Sequence, residues 1–336
     1  MHNITKNIGN SHVVHNVDLT DKNKINHILI CRPNHRLGNL LLITPLLQEV
    51  IATFPESKVD LVVQGGLAPI LFKNYENVEN IIQLPKRPFK YPIKYIRGCM
   101  AVKKIKYDIV INAVKTSSSG KLFTKFSNSK YKVFGEDGND VELKFKDCEH
   151  IAKNQVYGFR NYLNGIGFVK NNNPIVPLNL KLCPLEKAVG KEILKELVNN
   201  NKKTICLFTY ATDDKCHSET WWIEFYEKLE IKYSNYNIIE VLPIENISMI
   251  QFRAPTFYSK DIRQIGSLIA NTEVFICADS GIMHLASSSQ TPTVGLFSRD
   301  NLAIYQPFNN NNIGICTVKS NISECIKVVN NILVKN

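Results

Sequence analysis

Short apolar runs rich in β-branched residues alternate with longer stretches of helical period along almost the whole chain. Ile25–Arg32 (INHILICR) reads as a buried first strand and Pro33–Leu37 as a loop. Gly38–Phe54 (GNLLLITPLLQEVIATF) keeps an apolar face at helical spacing until Pro55 stops it. Further strands are predicted at Lys58–Gln64, Asn80–Leu84, Tyr107–Ala113 and Tyr131–Phe134. Helices fill the intervals: one beyond Gly65-Gly66, one opening at Pro92, then Ser117–Phe126 and Ile151–Ile166.

The second half repeats this grammar. A helix at Leu185–Asn199 leads to a strand at Thr204–Thr209, a loop at Tyr210–Ser218 and a helix at Glu219–Ile231. A strand at Asn237–Leu242 and a helix at Lys260–Ala270 follow. The stretch TEVFICADSGIMHLASSSQTPTVGLF then packs strand, turn, helix and strand into one unit of the kind that builds parallel sheets. Four Asn and three Pro in Lys170–Pro184 mark a linker. The expected organisation is a loose tail over 1–24, a first domain over 25–169, the linker 170–184, a second domain over 185–320 and a C-terminal helical segment, 321–336. That last segment is expected to be able to cross back to the first domain. The fold class is α/β: two doubly wound, Rossmann-like domains facing a cleft.

Composition narrows the class. A length of 336 residues calls for two domains, and 44% hydrophobic with 21% charged residues describes an ordinary globular chain. Nine scattered cysteines without a Cys-x-x-Cys pair fit a reducing cytosol better than a disulfide scaffold or a zinc site. The polar N-terminus is not a secretory signal, and no apolar run is long enough to span a bilayer. A net charge of +11 suits anionic partners. Between Lys86 and Lys106 there are eight basic residues and no acid, with Phe89, Tyr91, Tyr95 and Ile96 interleaved. This reads as a basic amphipathic segment able to lie on an anionic membrane surface, against the plainer alternative of a solvated helix face. No nucleic-acid-binding signature accompanies the charge.

The turn Ala278-Asp279-Ser280-Gly281 lies beyond the carboxyl end of a predicted strand and opens a helix. There the unpaired amides and the positive end of the helix dipole favour phosphate. Gly281 allows close backbone approach, and His284 lies in the first turn. The alternative is that Asp279 or Ser280 caps the helix and His284 packs on the sheet.

The residues ADSGIMHLASSSQTPTVGLF resemble the nucleotide-site signature of the heptosyltransferase family, glycosyltransferase family 9. Arg36–Pro45 (RLGNLLLITP) resembles that family's second signature, and Ala211–Lys215 (ATDDK) its loop for the donor phosphates. The matches keep the family's order over roughly residues 25–310. The resemblance implies a GT-B fold, with an N-terminal acceptor domain and a C-terminal nucleotide-sugar domain. It further implies inverting, metal-independent transfer of a sugar, typically heptose from an ADP-sugar, to the lipopolysaccharide core. The nucleotide sugar is then a substrate, and no cofactor is expected. The enzyme is expected in the cytoplasm, with peripheral contact to the inner face of the membrane.

Without a metal, the leaving diphosphate has to be met by helix amides and cationic side chains. On that footing Ser280 and Gly281 supply amides, Lys215 a charge, Thr212 a hydroxyl and His284 a further donor. Asp279 orients the turn, because two anions repel. Glu245 accepts from the ribose hydroxyls. Arg36 and Gly38 fall on the acceptor side through the second signature. That signature usually carries Asp after the glycine, a carboxylate that takes the acceptor's proton; here the residue is Asn39, which cannot act as a base. Three readings stay open. His35 is the base; Asn39 only positions the acceptor while another acid or the leaving phosphate takes the proton; or the chain binds nucleotide sugars without transferring them. A GT-B transferase using a UDP- or GDP-sugar, or a sugar-nucleotide epimerase, is the alternative within enzymes.

Overall fold

The computed structural model describes residues 25–135, 147–309 and 311–335. The tail expected over 1–24 lies outside the described residues. The chain divides into two compact units, Met1–Val176 and Pro177–Asn336, so the division falls inside the Asn/Pro-rich segment.

In the first unit β1 (His27–Cys31), β2 (Lys58–Gln64), β3 (Val78–Leu84), β4 (Lys106–Asn112) and β5 (Asn128–Val133) form a parallel sheet in the order β3-β2-β1-β4-β5. Its helices are α1 (Leu37–Leu41), α2 (Thr44–Thr53), α3 (Ala68–Leu71), α4 (Pro92–Lys104), α5 (Ser118–Phe126) and α6 (Ile151–Gly165). β1 is central, and Ile28 to Cys31 are wholly buried. A strand covered on both faces needs an unbroken apolar run, and this one has it.

The single helix expected over Gly38–Phe54 is corrected: it is broken between α1 and α2. Pro45 has no N–H to give to the Leu41 carbonyl four residues back. The Thr44 hydroxyl donates to that carbonyl instead, at 2.7 Å. The apolar period runs on across the break, which is why the pattern alone does not reveal it.

In the second unit β6 (Thr204–Phe208), β7 (Asn237–Val241), β8 (Thr256–Phe257), β9 (Val274–Ala278), β10 (Thr293–Phe297) and β11 (Ile313–Cys316) form a parallel sheet in the order β11-β10-β9-β6-β7-β8. Helices α7 (Pro184–Val198), α8 (Glu219–Lys232), α9 (Ile262–Ile269), α10 (Gly281–Ser288), α11 (Leu302–Tyr305) and α12 (Ile322–Lys335) accompany it, with a 3₁₀ turn at Asp213–Lys215. The edge strands β8 and β11 carry no readable apolar run; one is two residues long and the other contains Gly314. In each sheet the strand order reverses once, between β1 and β4 and between β6 and β9. Ligands of doubly wound sheets bind outside the carboxyl ends of strands at such a reversal.

The C-terminal helix completes the core of the second unit. Ile322, Cys325, Ile326, Val329, Ile332 and Leu333 repeat at helical spacing and are buried with Trp222, Phe225 and Leu229 of α8 and with Val274 and Ile276 of β9. Its apolar stripe is thus taken up by the second unit's own core.

Both ends of the segment between the units are strapped to their own side by a buried bidentate pair. Arg160 grips Glu49 through Nε and Nη2, each at 2.7 Å, while Nη1 donates to the Asn173 carbonyl and Asn171 donates to Glu49. Arg263 grips Glu186 at 2.6 and 2.8 Å and donates to the carbonyls of Leu180 and Lys181. Paired forks of this kind are the geometry in which a buried guanidinium is well satisfied. All nine cysteines are free thiols. Among the described residues no helix is long and apolar enough to cross a membrane.

His217 closes the loop after β6, hydrogen-bonded through Nε2 to Thr317 Oγ1 at 2.7 Å and tilted against the Trp221 ring at 4.4 Å. Burial pushes its pKa down to about 4. The unfolded chain therefore takes up a proton that the native ring refuses, and stability falls as pH drops through the ordinary histidine range toward 4. Urea unfolding at pH 7.5 and 4.5 should show a loss of up to about 3 kcal/mol from this residue. His217→Gln should lose measurably less over the same interval, and an identical loss would remove the imidazole as the cause.

Candidate functional site

In the second unit two loops leave the strands that flank the reversal: the segment after Phe208 at the end of β6, and Asp279-Ser280 at the end of β9. Ser280 occupies the N-cap of α10 with an extended backbone, but its side chain makes no cap; the hydroxyl donates back to the Ala278 carbonyl at 3.2 Å. The plain capping alternative thus fails for Ser280. Asp279, only 5% exposed, directs its carboxylate across to the other loop. Lys215 Nζ lies 2.7 Å from Asp279 Oδ2, and Asn301 Nδ2 donates to the same oxygen at 3.2 Å. The sequence reading places Lys215 and Asp279 in one site but does not foresee that they pair.

Lys215 ends the 3₁₀ turn that Thr212 opens from its exposed N-cap position. That turn is held from a third loop, where Ser298 donates to the Asp214 carbonyl at 2.8 Å and Arg299 pairs with the Asp214 carboxylate. An ammonium carries three donors, so pairing with Asp279 leaves Lys215 able to reach a second anion. Gly281 begins α10, and His284 is buried in it, 4% exposed. Glu245 is exposed, on the loop that follows β7.

A glutamate that the motifs do not single out links two of these loops. Glu240 in β7 is fully buried; Thr209 Oγ1 donates to one carboxylate oxygen at 2.5 Å and Ser248 Oγ to the other at 2.6 Å. Thr209 Oγ1 in turn accepts from the Met249 amide, and Ser248 Oγ from the amides of Ile250 and Phe252. The carboxylate thus braces the start of the Thr212–Lys215 loop against the far end of the Glu245 loop. Burial raises its pKa, opposed by the two hydroxyls. The signal available in the sequence was a lone acid inside the apolar run NIIEVL.

In the first unit the loop after β1 carries His35 and Arg36, and the helix α1 that it enters carries Gly38 and Asn39. Its organiser is Asn34, whose side-chain oxygen accepts from the Arg36 amide at 2.9 Å and from Asn39 Nδ2 at 3.3 Å. Arg32 Nε donates to the Asn39 carbonyl at 3.4 Å. Arg36 is exposed at the N-cap of α1 and Gly38 is buried within it. His35 is half-buried against Gly65: a methyl group built on Gly65 would lie 3.3 Å from His35 Cβ and 2.9 Å from Lys86 Cε. With φ at +72° as well, only glycine suits this position.

Gly65 also lines a cavity of about 510 Å³ outside the ends of β2 and β3, walled by Gln83, Lys86, Arg87, Lys90, Tyr91 and Lys94 among others. Four of the lining residues are basic and none is acidic. Such a cavity concentrates anions. His27, Asp60 and Glu79 also converge within 4.8 Å, in a cluster with metal-ligand chemistry. Both Asp60 oxygens are already engaged, by Asn80 and by Tyr107, and Glu79 is paired with Lys58. This cluster reads as a structural network.

Residues 259–333, which include α9, β9, α10 and β10, match the family model of glycosyltransferase family 9 (heptosyltransferase). The chain is 19% identical over 300 residues to lipopolysaccharide heptosyltransferase 3 of Escherichia coli, covering 82% of this chain and 85% of that protein. A glycosyl transferase family 9 structure from Veillonella parvula superposes with a TM-score of 0.72 at 17% identity, covering 93% of this chain and 98% of the other. The Escherichia coli heptosyltransferase WaaC, solved with ADP, gives a TM-score of 0.64 at 17% identity over 91% of this chain and 99% of that one. The two parallel-sheet units have the GT-B fold of these proteins, and the sequence match around the Asp279 turn adds to the fold what fold alone does not carry. Residues 259–333 thus resemble glycosyltransferase family 9 (heptosyltransferase), and the two units share the fold of solved members of that family.

Proposed function

We propose that this chain is a glycosyltransferase that moves a sugar, heptose from an ADP-linked donor, onto a lipopolysaccharide core or related cell-surface glycan, with inversion and without a metal. The observation that carries the reading is the Lys215–Asp279 pair at the start of α10, where the Ser280 side chain leaves the first-turn amides to another partner. The ADP linkage is proposed because a heptosyltransferase of this fold was solved with ADP.

In the reaction the acceptor hydroxyl oxygen bonds to the anomeric carbon while the bond from that carbon to the diphosphate oxygen breaks on the opposite face. The electron pair leaves with the nucleoside diphosphate and the hydroxyl proton passes to a base. Lys215, with donors beyond the one given to Asp279, meets the developing charge together with the Ser280 and Gly281 amides. Thr212 and His284 add donors, and Glu245 takes the ribose hydroxyls. Asp279 aims the lysine and stays off the phosphates. On the acceptor side His35 is the base. Asn39, held by Asn34, orients the hydroxyl; Arg36 and Gly38 flank it. The basic cavity beside His35 suits a glycan that carries phosphate or carboxylate groups. The same segment, Lys86–Lys106, provides peripheral contact with the anionic inner face of the membrane.

Lys215→Ala is expected to weaken ADP binding by roughly 1.5–3 kcal/mol in calorimetric titration. The loss should fall toward the upper end, because Asp279 is then left facing the diphosphate without its partner. Unchanged affinity would take Lys215 out of the site.

Glu240→Leu strips both hydroxyls of their acceptor and should cost about 2–4 kcal/mol in urea unfolding, with weaker ADP binding. Glu240→Gln should keep ADP affinity. Because the native carboxyl is held above its ordinary range, its contribution is present at acid pH and lost as pH rises through the raised value. The glutamine variant should lack that decline; equal pH slopes would show that Glu240 does not titrate in the fold.

His35→Ala should lose roughly 10²–10⁴-fold in turnover with ADP affinity little changed. Asn39→Asp should retain or raise activity, measured as nucleotide release from a panel of nucleotide sugars with membrane glycolipid present. Full turnover in His35→Ala would end its role as base. Release from no donor, despite stabilisation by nucleotide, would favour a binding protein over an enzyme.

A further inference from the structure

Lys215 does not meet an arriving anion with an unmatched charge. Asp279 pairs with it at 2.7 Å, and the exposed Asp213 and Asp214 precede it in the same turn. The first-turn amides of α10 supply only partial charge. A diphosphate calls for a second cation, and the loop after β10 holds one. Arg299 pairs there with the Asp214 carboxylate, while Asp300, next to it, is paired with Lys319. The backbone around Arg299 is fixed without help from its ion pair. Ser298 Oγ donates to the Asp214 carbonyl at 2.8 Å, and Asn301 Nδ2 donates to Asp279 Oδ2 at 3.2 Å. The Asn301 amide donates to the Arg299 carbonyl at 3.1 Å, which closes the turn between those two contacts. Arg299 is thus seated between the Lys215 turn and the Asp279 turn. Its side chain is 46% exposed and that of Asp214 65%. So wet a pair adds little to the fold, and exchanging the carboxylate for a phosphate leaves the loops in place. A guanidinium, unlike an ammonium, can also grip two phosphate oxygens at once.

We propose that Arg299 is the second cation of the donor site, held on Asp214 until a nucleoside diphosphate draws it onto the terminal phosphate. The inference rests on the donor-site reading above and adds to it a switch and a discrimination. Breaking the bond to the sugar leaves the electron pair on the terminal phosphate, so negative charge grows where the guanidinium arrives. A nucleoside monophosphate lacks that group and meets only Lys215 and the helix amides. Asp214 is a positioning residue in this scheme. It keeps the arginine beside the site and competes with any anion that would take it.

Calorimetric titration of the full chain with ADP and with AMP tests this. Arg299→Ala should lower ADP affinity roughly tenfold or more, with AMP affinity little changed and the melting temperature preserved. Arg299→Lys, which keeps the charge without the fork, should recover part of the loss. Asp214→Asn releases the arginine and should raise ADP affinity roughly two- to fivefold, the worth of an exposed pair. In the Arg299→Ala background the same change should give no gain. A gain that persists there comes from simple repulsion and overturns the switch. Arg299→Ala that binds ADP like the parent, or that loses AMP in step with ADP, overturns the assignment. Equal losses in Arg299→Ala and Asp214→Asn also overturn it, because the pair then merely ties two loops together. Lys215→Ala reads the donor site separately. ADP affinity that follows Lys215 but not Arg299 defeats this inference and spares that reading. ADP affinity that follows Arg299, in a chain that releases nucleotide from no donor, removes the transfer and leaves the switch. A parent chain that binds no ADP defeats both.

Discussion

Complete burial of the central strands is the constraint from which the rest of this structure follows. Residues Ile28 to Cys31 and Val274 to Ala278 have no measurable solvent exposure. A carbonyl or amide there is satisfied by the parallel ladder, and a polar side chain would have no partner. Polar chemistry is therefore pushed to the strand ends, and it begins there at once. Asp279 follows Ala278, Thr209 follows Phe208, and Arg32 follows Cys31. The reversal of strand order in each sheet keeps neighbouring crossovers from covering those ends, so the polar loops gather around an opening that the topology has already made.

Within the second unit that opening is organised by charge pairing more than by charge. Lys215 brings a cation, yet Asp279 matches it at 2.7 Å, and the nearly buried carboxylate would be costly without that match. The pair thus holds a long flexible side chain in one place while leaving the helix amides as the unspent attraction for an anion. Glu240 does a related job one layer deeper. It is a carboxyl group held by two hydroxyls, and it serves as a brace between two loops whose tips carry the polar groups.

Much of this was legible in the chain. Strands buried on both faces must be apolar throughout, so the central ones announced themselves, and the turn at Asp279 stood out because small and polar residues interrupt two such runs. Edge strands obey no such requirement; β8 and β11 left no pattern to read. The break between α1 and α2 was masked because its two pieces share one apolar face, although Pro45 was in view. The partnership of Lys215 with Asp279 depends on which strands become neighbours, and no local pattern contains that. In α4 the two apolar stripes overlap in the sequence. Only packing distinguishes Tyr95 and Cys99, which face the core, from Ile96 and Met100, which do not.

The two arginine–glutamate clamps carry an implication for how this chain can change over generations. Replacing Glu49 alone leaves the Arg160 guanidinium buried without its counter-charge, and replacing Arg263 alone does the same to Glu186. Losing one partner of a buried pair costs about 3–5 kcal/mol, a large share of what a domain has to spare. A swap of both partners for well-packed apolar residues costs far less, but it requires two substitutions and passes through the strained single variant. Drift at these four positions is therefore coupled in pairs. The residues between Asn173 and Leu180 answer to neither clamp's charge balance; what restrains them is packing, as at the wholly buried Leu178.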